Sequence, residues 1–181
     1  MRERALALVL AGSFLVTGGT PAPGEVVDAA AAGFTTRHTI DISAPRAAVY
    51  RNAVKHIGDW WSDDHTMSGY ASNLYLEAVP QGCFCERLGG GGVVHMTVTF
   101  VNPTVMLRLT GGLGPLGLMG VSGNMTWEFD DSEKGTTVTW SYAVGGYRAG
   151  GLEELAATVD QVLVEQMNRL KEFSESGEPA G

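Results

Sequence analysis

Hydrophobic and polar residues change rhythm once near the end of this chain, from a period of two to a period of three and four. Val121, Gly123, Met125, Trp127 and Phe129 alternate with Ser122, Asn124, Thr126 and Glu128, and beyond Glu133-Lys134-Gly135 the alternation resumes at Val138, Trp140, Tyr142 and Val144. Period two marks strands with one buried face, and the intervening turn residues make them an antiparallel hairpin. After Gly150-Gly151, Leu152, Leu155, Ala156, Val159, Val162, Leu163, Met167, Leu170 and Phe173 recur at helical spacing. They cover one face of a helix roughly 35 Å long. Glu153 and Glu154 fall in its first turn and Arg169 and Lys171 in its last, which suits the helix dipole.

Upstream, the rhythm of two predicts strands over Thr35 to Ser43, Leu74 to Val79 and Cys83 to Leu88, then through Val94, Met96, Val98 and Phe100, and through Val105, Leu107 and Leu109. Pro80-Gln81-Gly82 and Asn102-Pro103 supply turns. Ser43 as cap and Pro45 in the first turn predict a short helix carrying Ala48, Val49, Ala53 and Val54. His56 to Trp61 reads as a second helical piece, before a polar loop from Ser62 to Asn73. The fold class is therefore α+β: an antiparallel sheet of about six to seven strands, two short helices after the first strand, and one long closing helix.

At the N-terminus, Arg2 and Arg4 precede an apolar run from Ala5 to Val16, followed by small residues, which is the order of an export signal. The run is shorter than the about 20 residues that span a bilayer. Val27-Asp28-Ala29 fits a cleavage site, with Val16-Thr17-Gly18 as a rival. Residues 1–29 are read as the signal, 34–173 as one domain and 174–181 as a frayed tail. The expectation is an exported protein, periplasmic or extracellular, with no stable membrane insertion after processing.

The 181 residues carry a formal charge of −8, and the Lys and Arg residues form no runs. Nucleic acid is disfavoured as a partner, as is polybasic docking on anionic lipid. Export would place Cys83 and Cys85 in an oxidising compartment. On a regular strand, however, their Cα atoms would stand about 6.5 Å apart, at the far limit for a bridge. Two small semi-buried thiols are expected, a disulfide requiring a bulge. A metal site combining them with His95 lacks a fourth ligand, and neither metal nor cofactor is expected.

Ile42-Ser43-Ala44-Pro45 with Val49, the Trp60-Trp61 pair, Met125-Thr126-Trp127-Glu128-Phe129 and the helix after Gly145-Gly146-Tyr147 resemble START-like domains of the SRPBCC superfamily, in the polyketide cyclase and Hsp90-activator-homology branch. The resemblance covers about Phe34 to Phe173. It implies a helix-grip fold, in which a curved sheet wraps the C-terminal helix around an apolar cavity. Members bind lipids, sterols, polyketides, hormones or partner proteins, and the branch carries no invariant catalytic set.

A small hydrophobic ligand, lipid-like or polyketide-like, is the expected partner. The alternatives are a polyketide cyclase-like enzyme using acid–base chemistry in the same cavity, and a protein-interaction module. On the closing helix, Gln166 falls inside the apolar arc, where a buried amide needs a partner that a ligand or a strand backbone could supply. Asp160 at the edge of the arc is expected in solvent. Met125, Trp127, Trp140 and Tyr142, with Val159 and Leu163 on the helix, are candidate pocket residues. Leu113 to Met119, with Leu116 at its centre, is a candidate lid, and Trp61 a candidate wall on the opposite side. No Gly-x-Ser-x-Gly, His-Glu-x-x-His or phosphate-binding loop occurs. Glu86 and Tyr142 are the only acid or base candidates, and Glu86, His95, Arg108 and Glu128 are otherwise expected on solvated strand faces.

Overall fold

The computed structural model describes residues 25–178. Eight strands form one antiparallel sheet in the order β1-β2-β8-β7-β6-β5-β4-β3. They are β1 Glu25–Ala30, β2 Gly33–Ile42, β3 Leu74–Leu76, β4 Cys83–Leu88, β5 Gly91–Asn102, β6 Met106–Gly111, β7 Val121–Ser132 and β8 Gly135–Gly146. The helices are α1 Arg46–Lys55, α2 Ile57–Trp60 and the long α3 Glu153–Ser176. This is the helix-grip arrangement, one strand richer than expected.

The additional strand is β1, which pairs with β2 from Glu25↔Arg37 to Ala30↔Gly33. All of it but Ala30 falls inside the stretch read as an export signal, and residues 1–24 of that stretch lie outside the described residues. The turn after β1 ties sheet to helix: the Leu152 N–H donates to the Ala31 carbonyl at 3.1 Å and the Gly146 N–H to the Ala32 carbonyl at 3.2 Å.

β7 and β8 follow their alternation closely. Met125, Trp127 and Phe129 face Tyr142, Trp140 and Val138 across the ladder, all fully buried. Trp127 and Trp140 stack with centroids 4.5 Å apart, a geometry that adds to the area they bury. Met167 and Leu170 of α3 are buried as well.

Other expectations need correcting. Pro45 holds the N-cap position of α1, and Ser43 makes no side-chain cap. Its N–H donates instead to Glu175 Oε1 at 2.7 Å. That bond belongs to a helix continuing through Ser176, so residues 174–176 are not a frayed tail; 179–181 lie outside the described residues. Asp160 is not free in solvent: it stands 3.1 Å from the buried His38 Nε2, joining α3 to β2. Burial holds the His38 imidazole below its usual pKa, and the Asp160 carboxylate opposes that shift only in part.

β5 departs furthest from simple alternation. Cys85 pairs with Val94 but Phe84 with Met96, so His95 is an extra residue; Val98 pairs with Leu109 but Phe100 with Arg108, so Thr99 is another. Each bulge reverses the facing of the strand on its far side. Val94 and Phe100, expected inside, are therefore 65% and 46% exposed, and His95, expected outside, is 5% exposed.

The first bulge also corrects the expectation of two free thiols. Cys83 and Cys85 form a disulfide with their Cα atoms 5.4 Å apart. The register break lies between Phe84 and Cys85, the local distortion that a bridge across one strand residue requires. Both thiols are consumed, so no thiolate is left to share a metal with His95.

Candidate functional site

Between α3 and the β3–β5 end of the sheet lies a cavity of about 400 Å³, within the range of small-molecule sites. Leu155, Val159, Val162 and Leu163 of α3 line one wall. Leu74 of β3, Phe84 of β4 and His95 of β5 line the sheet side. Leu113, Leu116 and Met119 come from the apolar connection between β6 and β7, whose residues Gly114–Met119 form a 3₁₀ segment. Trp61, His65 and Met67 close the remaining side.

Of the residues expected to form a pocket, Trp61, Leu116, Val159 and Leu163 meet here. Met125, Trp127, Trp140 and Tyr142 lie behind the cavity as fully buried core. The two sets are joined by ring contacts. From the stacked pair, Trp140 approaches Trp60 at 6.1 Å, Trp60 meets Trp61 at 5.5 Å, Trp61 packs edge-on to Phe84 at 5.3 Å, and Phe84 lies 5.4 Å from His95. Only the far end of this row reaches the cavity. Leu155 and Val162 belong to the helical stripe already evident in the sequence; Phe84, Leu74, His65, Met67 and Met119 come from separate strands and loops, where spacing carries no sign of convergence.

Gln166 is fully buried, as its angle on the helix implies, but does not line the cavity. Its Oε1 accepts the Ser62 N–H at 2.8 Å, so the amide holds the loop after α2 rather than a strand. A second tie runs nearby, from His65 Nε2 to Glu165 Oε2 at 3.0 Å. Burial pushes the Glu165 carboxyl up, but the hydrogen bond and charge of His65, with further bonds from Ser62 and Gln166, outweigh it and hold the group below its usual range. The Trp61 indole N–H donates to the His65 carbonyl at 3.1 Å. Residues 61–67 are thus fastened as a wall.

Tyr142 is a strut. Its hydroxyl donates to the Gly111 carbonyl and accepts the Leu113 N–H, both at 3.1 Å, anchoring the start of the apolar connection. Burial pushes its pKa up to about 12, partly countered by the Leu113 bond, which leaves it a poor proton donor at neutral pH.

Glu86 and His95 overturn the expectation of solvated side chains. Glu86 shares the inner face of β4 with Phe84 and is 1% exposed. Its carboxylate accepts the backbone N–H of Met67 at 3.0 Å and that of Ser68, and lies 2.9 Å from His95 Nε2. Burial alone would raise its pKa, but the bonds from Ser68, Met67 and His95 together hold it below the ordinary carboxylate range. Arg108 is exposed and Glu128 half-buried, neither lining the cavity. The sequence contains a faint sign of the pair: two ionisable residues in strands otherwise rich in apolar ones. The bulge that lets His95 and Met96 both face inward leaves no mark in composition.

Among the described residues, no helix is long and apolar enough to cross a membrane. No protein-family model and no curated protein matches the chain. Solved structures do match in fold. Protein SSP2350 from Staphylococcus saprophyticus is 17% identical with a TM-score of 0.58, covering 81% of this chain and 95% of its own. DynU16, from the dynemicin biosynthetic locus, is 17% identical with a TM-score of 0.59 over 80% of this chain and 48% of its own. The Aha1 dimer from Colwellia psychrerythraea, solved in solution, is 18% identical with a TM-score of 0.55 over 79% and 97%. At these identities the likeness is one of fold, and it agrees with the START-like, SRPBCC-like architecture that the sequence resembles.

Proposed function

We propose that this protein binds a small hydrophobic molecule, lipid-like or polyketide-like, in the cavity between sheet and α3, as an exported member of the SRPBCC superfamily. The observation carrying this reading is the cavity itself: about 400 Å³, walled by aliphatic and aromatic side chains from helix, sheet and connection. Such a space between rigid elements suits an apolar guest, because filling it removes apolar surface from water without reshaping the core. The pairing of Glu25–Ala30 with β2 favours processing ahead of Glu25, near Val16-Thr17-Gly18, since cleavage after Ala29 would remove nearly the whole strand. The Cys83–Cys85 bridge suits an oxidising compartment.

A dye-uptake assay tests the reading. The wild type should bind N-phenyl-1-naphthylamine at about one equivalent, and Val159→Trp, which fills the cavity from the helix side, should bind it at least about tenfold more weakly. A folded wild type that rejects the dye, and from which organic solvent extracts no small molecule, would favour an interaction module instead. The same preparation's intact mass decides the processing site.

The cyclase-like alternative is favoured by one observation, the buried Glu86–His95 pair at the cavity wall. Turnover would then depend on His95, because Tyr142 is fully engaged and Glu86 stands behind the imidazole.

A further inference from the structure

The side chains around the cavity are graded from floor to rim. Trp61, Leu74, Phe84, Leu116 and Leu163 are all 5% exposed or less. Apart from His95, which is engaged with Glu86, the polar lining residues Asp64, His65, Thr66 and Thr158 are exposed or partly so. They gather on one side. Asp64 and Thr66 flank His65, whose ring reaches Glu165 on α3, and Thr158 stands two turns before Glu165 on the same side of that helix. A guest that matches this gradient is an amphiphile, its apolar body on the floor and its polar head at the rim, where water or polar groups can still satisfy it.

The chemistry of the rim selects the head. Asp63 accepts the Ala71 N–H, but the Asp64 carboxylate has no hydrogen bond or ion pair with any described residue. Thr66 Oγ1 lies 2.8 Å from the Asp63 carbonyl oxygen. A carbonyl has no proton to give, so the hydroxyl hydrogen is spent there and toward a guest Thr66 can only accept. Whatever charge the His65 ring carries is answered by Glu165 Oε2 at 3.0 Å. No Lys or Arg lies among the described residues that line the cavity. The uncompensated charge at the rim is therefore one carboxylate, beside a hydroxyl that accepts.

We infer that the cavity takes a cationic amphiphile, a long-chain primary amine or a related ammonium compound, with Asp64 and Thr66 receiving the N–H groups of its head, and that it discriminates against fatty acids and other anionic amphiphiles. The inference rests on the cavity-binding reading and names its ligand class. An ammonium is all donor and a carboxylate all acceptor, so only the first complements this rim. Because the rim stays in contact with water, Asp64 sets the choice of head group while the apolar floor supplies most of the affinity.

The test uses decylamine and decanoic acid, which share one chain and carry opposite charges at neutral pH. Each is added below its micelle-forming concentration to displace N-phenyl-1-naphthylamine from the wild type, from Asp64→Asn and from Asp130→Asn, the last removing an equal charge from an exposed site on β7 outside the cavity lining. The wild type should bind the amine about tenfold more tightly than the acid, from an attraction and a repulsion of about threefold each. Asp64→Asn should bring the two within about threefold, and Asp130→Asn should keep the wild-type ratio. In the wild type alone, the ratio should shrink toward unity near about 1 M salt, where the Debye length is about 3 Å. That readout does not depend on a variant folding. A wild-type ratio near unity, a ratio that Asp64→Asn leaves unchanged, or one that Asp130→Asn lowers equally would overturn the cationic-head inference while leaving the cavity reading intact. Failure of the dye and both amphiphiles to bind folded wild type would overturn the cavity reading and the head-group inference with it.

Discussion

The two halves of α3 carry the same apolar stripe and meet opposite fates. In the C-terminal half Met167 and Leu170 are buried against the rest of the core, and Gln166 spends its amide oxygen on the Ser62 backbone. In the N-terminal half Leu155, Val159 and Val162 are only partly covered and face the cavity. Residue type does not separate the halves. What does is the material opposite: α1, α2 and the Trp127–Trp140 stack fill one end, while the other faces short β3, β4 and the bulged β5. One helix thus acts both as a structural clamp and as a binding wall.

Truncation should separate the halves most strongly. Leu170→Ala removes a side chain with no room to collapse and should cost about 3 kcal/mol, whereas Leu155→Ala, beside existing space, should cost about 1 kcal/mol or less. Urea unfolding of both variants checks this, and equal losses would erase the distinction between the halves. In the dye assay the order should reverse, with Leu155→Ala the more damaging.

Alkaline titration should probe the seam between core and cavity next. The folded pKa of Tyr142 is raised to about 12, above its ordinary value near 10. Its contribution to stability is therefore complete below about pH 10 and is lost as pH rises through about 12, a decline on the order of 2 kcal/mol. Tyr142→Phe should flatten that limb of the stability profile. An unchanged slope in the variant would assign the alkaline loss to other groups.

Reduction of the Cys83–Cys85 bridge should have the smallest effect on stability. It closes so short a loop that it restricts the unfolded chain little, and the midpoint of thermal unfolding should fall by less than about 3 °C. Dye affinity should fall severalfold, since on either side of Cys85 β4 carries Phe84, which lines the cavity, and Glu86, which holds the lining residue His95. Unaltered affinity in reductant would detach the bridge from the site.

How much of this was legible in the sequence depends on whether a feature is periodic. The stripe of α3, the β7–β8 hairpin and the burial of Gln166 all follow from counting along one element. β1 was concealed because a short strand of Val, Asp and Ala resembles the end of an export segment. The disulfide and the burial of His95 beside Met96 share another origin: a bulge inserts one residue without changing composition, and alternation counted across it comes out inverted. Glu86 and His95 meet only through strand register, which no spacing rule encodes. The pocket wall was legible on the helix, where one face is enough, and illegible on the sheet and loops, where five segments converge.

The two bulges of β5 also cancel. His95 shifts the strand by one residue and Thr99 by one more, so Val93 and Val101 keep the facing they would have had in an uninterrupted strand, while Met96 and Val98 between them take the opposite parity. The sheet's outer pairings are thereby insulated from what happens in the middle. Moving either offset by a position would exchange the side chain presented to the cavity without disturbing the ends of the ladder, so the binding chemistry can be rewritten inside a frame that stays the same.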